Sequence, residues 1–147
     1  MFRALQSHRL YRCALVGLLL LPSSLLADEL LVVTGEKSSL TALDKNQVRN
    51  IFLGKVSSLP DGSNAAPVDQ PESSPLRDEF YEKLTHHSAA EAKAHWVKLS
   101  FTGRGAPPRE STSSSDTKRM VNSMPGAIGY IEKSELDSSV KVVFTVK

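Results

Sequence analysis

The chain has one cysteine in 147 residues, Cys13, and it lies among the first 27. Beyond residue 27 there is none, which excludes a disulfide framework and a thiolate metal site from the rest of the chain. No apolar run reaches the length of a comfortable membrane span: the longest, Ala14 to Leu21, is far too short. Cofactor signatures are missing too, with neither a G-x-G-x-x-G nor a Walker sequence. His86 and His87 are adjacent and have no third ligand at metal spacing, so no metal is expected. Ser74, His86 and Asp69 have no G-x-S-x-G elbow or other context that would make them a hydrolytic triad. No catalytic residue and no cofactor are therefore expected. No internal repeat is visible.

The beginning of the chain has the layout of a secretory signal peptide. Arg3, Arg9 and Arg12 precede the apolar run, and Leu25-Leu26-Ala27 offers a cleavage site before Asp28. An uncleaved membrane anchor is the alternative. Residues 1–27 are read as the signal peptide and residues 28–147 as one domain of 120 residues. That domain holds all sixteen acidic residues and fifteen of the eighteen basic ones. Its near-neutral balance gives no case for nucleic acid or an acidic membrane surface.

Taken in order, Leu30 to Thr34 reads as a buried strand bounded by Gly35. A polar loop to Ser39 follows. Asp44, with Gln47 three residues on, makes a capping-box start for a helix over about Lys45 to Leu53 that Gly54 stops. Leu59-Pro60-Asp61-Gly62 is a turn. Ala66-Pro67-Val68 reads as a short strand whose proline favours an edge or an end. Ser74 and Pro75 open an amphipathic helix carrying Leu76, Phe80 and Leu84. Ser88 and Glu91 box the next helix, with Ala92, Trp96 and Leu99 on one face. Ser111 to Ser115 reads as a mobile serine-rich loop, with Asp116 capping a short helix after it. Ala127 to Ile131 and Val140 to Val146 read as strands, separated by about one helical turn at Ser134 to Leu136. Strands and helices that roughly alternate predict an α/β domain: one central sheet of about four to five strands flanked by helices.

The stretch from Pro67 to Leu84 carries the candidate site. A strand runs into a polar loop and then a helix N-terminus, where free N–H groups and the positive end of the dipole can hold an anion. Arg77, one turn in, can add a charge-assisted fork; the plain alternative is a surface ion pair with Asp78 or Glu82. Asp69 reads as a turn residue or as an acceptor for the proton of a protonated phosphate. Arg104, between two glycines, reads as a ligand or partner contact or as simply solvated. Trp96, Phe80, Phe52 and Tyr130 are expected in the core.

Several segments together carry a resemblance: Ile51-Phe52-Leu53-Gly54-Lys55, Pro67-Val68-Asp69-Gln70, Ser74-x-x-Arg77-x-x-Phe80-Tyr81, Phe101-Thr102-Gly103-Arg104-Gly105 and Pro125-Gly126-Ala127-Ile128-Gly129-Tyr130. In this order they resemble the short periplasmic binding proteins of phosphate-transporter type, over about Leu30 to Val143. The resemblance implies a single periplasmic-binding-protein-like (type II) α/β domain. In full-length members a ligand lies between two lobes, and a Ser-Gly-Thr run at a helix N-terminus, with an arginine and an aspartate, holds phosphate. Here the loop from Gln70 to Arg77 takes the comparable place, with Ser73-Ser74-Pro75 where that run stands and about half the length of a full binding protein. The ligand-binding residues implied are Asp69, Gln70, Ser73, Ser74 and Arg77. The function implied is an exported, periplasmic, non-catalytic module for phosphate or a similar small oxyanion. It would work with an ABC transporter, a porin or another envelope protein, and a homodimer would rebuild a second wall. The alternative function is a protein-interaction module of the cell envelope that has lost small-ligand binding.

Overall fold

The computed structural model describes residues 28–147, so the signal-peptide expectation lies outside the described residues. Among those described, no helix is long and apolar enough to cross a membrane.

Strand β1 (Leu30–Gly35) is buried along its whole length. Its alternating side chains serve two cores. Leu30 and Val32 face one, with Val48, Phe52, Phe80 and Tyr130; Leu31 and Val33 face the other, with Val68, Val121 and Ile131. A strand buried on both faces belongs in the middle of a sheet. β1 pairs antiparallel with β4 (Ala127–Glu132) on one side and β5 (Val140–Val146) on the other. β2 (Ala66–Asp69) lies parallel to β4, and β3 (Arg109–Glu110) parallel to β2, giving the order β3-β2-β4-β1-β5. This is the α/β class expected, with one mixed five-stranded sheet. Pro67 is not on an edge strand, but β3 pairs only with Val68 and Asp69. The proline thus sits near the strand start, where β3 asks for no N–H.

Helices α1 (Lys45–Phe52), α2 (Pro75–Thr85) and α3 (Ala89–Phe101) contribute to the larger core, while Val121 of α4 (Ser114–Ser123) fills the smaller one. The capping boxes at Asp44–Gln47 and Ser88–Glu91 both form. Phe52, Phe80, Tyr130 and Trp96 are buried as expected. Trp96 also donates its indole N–H to the Phe52 carbonyl at 2.9 Å, closing the end of α1.

One expectation is corrected and one element was not foreseen. The serine-rich stretch is not a loop throughout: α4 begins within it, capped by Ser113 rather than Asp116, whose N–H bonds the Ser113 hydroxyl at 3.1 Å. Serine competes well for that position because its oxygen reaches the free N–H groups of the first turn. The unforeseen element is β3, which had no sequence signal because two exposed residues after Pro108 carry no alternation.

Candidate functional site

The site begins where β2 ends. Asp69 is the last strand residue and Gln70 the first beyond it, and both are buried. The chain then turns through Pro71 and Glu72, with the Ser74 N–H bonded to the Pro71 carbonyl at 2.9 Å. Pro75 starts α2 with its φ already suited to the helix. Ser74 stands at the N-cap, half-buried, but its hydroxyl makes no cap bond. Ser73 is exposed beside it.

Asp69 is not a simple turn residue. Its Oδ1 accepts the Tyr130 hydroxyl and the Gln70 N–H (3.0 Å), and its Oδ2 accepts the Tyr81 hydroxyl at 2.8 Å. The Arg77 Nη2 lies 3.3 Å from the same Oδ2. Both carboxylate oxygens are therefore engaged. Burial pushes the Asp69 carboxyl above its ordinary range; the Tyr130 bond, the Arg77 charge and the Tyr81 bond pull part of the way back. The two tyrosine hydroxyls are pushed up by the same burial and by the neighbouring carboxylate. Phe80 stacks on the Tyr130 ring, with centroids 3.7 Å apart, and holds it in place.

Gln70 is also occupied. Its side-chain amide donates to the Tyr130 carbonyl at 2.8 Å and to the Thr117 hydroxyl at 3.2 Å. Ser111 adds a second tie, donating its N–H (2.9 Å) and its hydroxyl (3.0 Å) to the Asp69 carbonyl, and its Oγ lies 2.7 Å from Thr117. The end of β2 is thus clamped to β4 and to α4. Gly129 makes this possible, because a Cβ there would stand 2.5 Å from the Thr117 methyl. Sequence reasoning missed Ser111, Thr117 and the two tyrosine hydroxyls. A buried carboxylate that needs donors has no fixed sequence spacing to its donors, so no local signal could have found them.

Arg77 does not pair with Asp78 or Glu82. It lies between Asp69 and Glu110 of β3, 3.3 Å from each, with its side chain 11% exposed and its Nε buried without a partner. The guanidinium turns inward to the sheet end because a buried, partly desolvated carboxylate holds it more strongly than solvated ones on the helix surface. Glu110 is half-exposed, at 52%. Arg77, Asp69 and Glu110 line one end of a groove of about 580 Å³ whose other wall includes Trp96, Val97, Phe101, Pro107 and Pro108. Arg104 is exposed outside it.

The structure therefore brings Asp69, Gln70 and Arg77 together and leaves Ser73 and Ser74 at the helix start beside them. His86 closes the opposite end of α2 in the left-handed region, φ 60°. At 1.5 Å per residue the helix separates it from Ser74 by roughly 18 Å, far beyond proton-transfer reach. The Gly35–Ser39 loop lines a separate open pocket, in which Asp61 accepts the Ser63 N–H at 2.9 Å. Among the described residues, no three His, Cys, Asp or Glu side chains lie together as a metal site.

The fold is that of phosphate ABC transporter substrate-binding proteins. A protein from Clostridium perfringens described as a phosphate ABC transporter substrate-binding protein, with bound phosphate, aligns with TM-score 0.64 at 24% identity, over 79% of this chain and 44% of its own. An ABC-type phosphate transport receptor from Vibrio cholerae aligns with TM-score 0.63 at 23% identity, over 79% of this chain and 45% of its own. PstS from Borrelia burgdorferi aligns with TM-score 0.59 at 14% identity, over 79% and 46%. The chain thus spans less than half the length of these solved proteins. No protein-family model and no curated protein matches the sequence.

Proposed function

We propose that this chain is an exported, periplasmic, non-catalytic binding module that holds phosphate or a similar oxyanion against Arg77 at the start of α2. The observation that carries it is Arg77 itself. Its guanidinium lies at the end of the groove on two 3.3 Å contacts, one of them to the half-exposed Glu110. The Glu110 carboxylate stands where an incoming anion would compete. Ser73 and the uncapped Ser74 hydroxyl supply neutral donors at the positive end of the helix. Asp69 and Gln70 act by positioning Arg77 and the strand end, because the Asp69 carboxylate and the Gln70 amide nitrogen are already committed. The fold shared with phosphate-binding proteins supports the ligand class. One wall open to water weakens each charge interaction. We therefore expect weak binding, with delivery to a membrane transporter or another envelope protein.

Titration calorimetry with phosphate tests this. Arg77→Ala is expected to weaken binding by about tenfold or more, the value of a charge-assisted bond. Glu110→Gln is expected to strengthen it by removing the competing carboxylate. No heat at millimolar phosphate sinks the proposal.

A second reading, an envelope protein-interaction module without small-ligand binding, is favoured by the engagement of the Asp69 carboxylate and the Gln70 amide nitrogen within the protein. It expects an envelope complex unaffected by phosphate or by Arg77→Ala.

A further inference from the structure

Helix α3 is apolar on two faces. Ala89, Ala92 and Trp96 are buried. On the opposite side Ala90, Ala94, Val97 and Phe101 recur at intervals of four, three and four, and all are exposed, Val97 at 61% and Phe101 at 93%. That spacing keeps four side chains on one stripe, the pattern of a helix–helix seam. A surface helix normally turns polar residues to that side. The stripe adjoins the groove that contains Arg77.

We infer that this stripe is the interface of a two-fold dimer, with α3 packed antiparallel against α3 of a second copy. Three features select a second copy of this chain over other occupants. The first is size. With the two-fold axis between Ala94 and Val97, Phe101 packs over the second copy's Ala90, and Val97 over its Ala94, so each large side chain meets a small one. The second is charge. Glu91 and Lys98 flank the stripe on the same side, and the antiparallel arrangement sets each against the other's counterpart, twice by symmetry. Both are available: the bonds of Glu91 to Ser88, and its contact with His87, use Oε2 alone. The Lys98 ammonium is in no salt bridge among the described residues. The third is orientation. A parallel pairing would set Phe101 against Phe101 and Ala90 against Ala90, large on large and small on small, whereas in the antiparallel one Lys93 faces Ser100 and keeps its own partner, Glu72.

The dimer sets a second chain beside the Arg77 groove, whose lining includes Val97 and Phe101, and gives it a further wall. That last consequence rests on the oxyanion reading; the interface does not.

Sedimentation equilibrium on the protein recovered from cells expressing the full chain tests the interface, in buffer without phosphate. The wild type is expected to dimerise. Glu91→Lys and Lys98→Glu each create two like-charge pairs, and each is expected to weaken self-association by roughly tenfold or more. An equimolar mixture of the two variants restores both opposite-charge pairs and is expected to recover the dimer. Lys98→Glu touches no helix cap, and Ala94→Glu blocks the seam directly, so the result stands even if Glu91→Lys loses its cap and unfolds; circular dichroism checks each variant. A wild type that stays monomeric overturns the inference. So does a dimer unaffected by Lys98→Glu and Ala94→Glu, or a mixture of folded charge variants that stays monomeric. Dimerisation without heat on phosphate titration keeps the interface and removes the oxyanion reading.

Discussion

Asp69 shows how one residue type can mean different things in a loop and in a fold. As a sequence element it reads as a turn former; in three dimensions it is a buried anion shared by Tyr81, Tyr130, the Gln70 N–H and Arg77. Each bond replaces water that burial removed, and burial still wins, since the carboxyl is held above its ordinary value of 3.8. The pH dependence follows with a definite sign. An acid with a raised folded-state pKa stabilises below its unfolded pKa and loses that contribution as pH rises through the folded value. Surface carboxylates such as Asp116, held low first by the Thr112 N–H, run the other way and lose their contribution as pH falls. Asp69 therefore offsets part of the acid destabilisation. Asp69→Asn removes that offset, and urea unfolding from pH 7 down to pH 4 should show its stability falling more steeply with acidification than the wild type's. Equal slopes would remove Asp69 as a titrating group in this range.

Among the elements, α1 and α3 are locked at a glycine. Gly54 ends α1 at φ 66°, and a Cβ there would stand 2.4 Å from the Trp96 ring, whose indole N–H closes the same helix end. Gly103, just after α3, has a similar φ of 68° but open space around it. The pair separates backbone strain from overpacking. Gly103→Ala is expected to cost about 1 kcal/mol, the left-handed term alone. Gly54→Ala carries that term plus the clash, about 2–4 kcal/mol in total. Equal losses in denaturant midpoint would show that Trp96 yields freely. Element types were legible where the local physics is strong: Asp44–Gln47 and Ser88–Glu91 announce their helices by reciprocal caps, and Leu30 to Thr34 announces a buried strand. β3 was not legible, because a two-residue strand exists only through its pairing with Val68 and Asp69. The cap of α4 was misread at Asp116, because Ser113 can equally accept from a first-turn N–H and the residues alone do not rank the two.

For the whole molecule, sheet order sets the hierarchy of stability. β1 and β4 are central and buried, β5 is an edge strand with one partner, and β3 is an exposed two-residue edge. Native-state hydrogen exchange should find the β1 and β4 amides opening only with global unfolding, and those of β3 opening first. Protection of β3 equal to that of β1 would mean that something further covers this edge. The near-neutral domain, its freedom from cysteine, its α/β class and the strand–loop–helix at Pro67 to Leu84 were determined by the sequence alone, since composition, caps and periodicity are local properties. Only the tertiary structure decided the rest. It turned Arg77 away from Asp78 and Glu82 toward Asp69 and Glu110. It committed Gln70 to Thr117 and Tyr130, and it left one apolar stripe of α3 facing water. The physical reason is common to all three: the partners lie far apart in sequence, and a charge or an apolar face chooses among partners only after the sheet has brought them within reach.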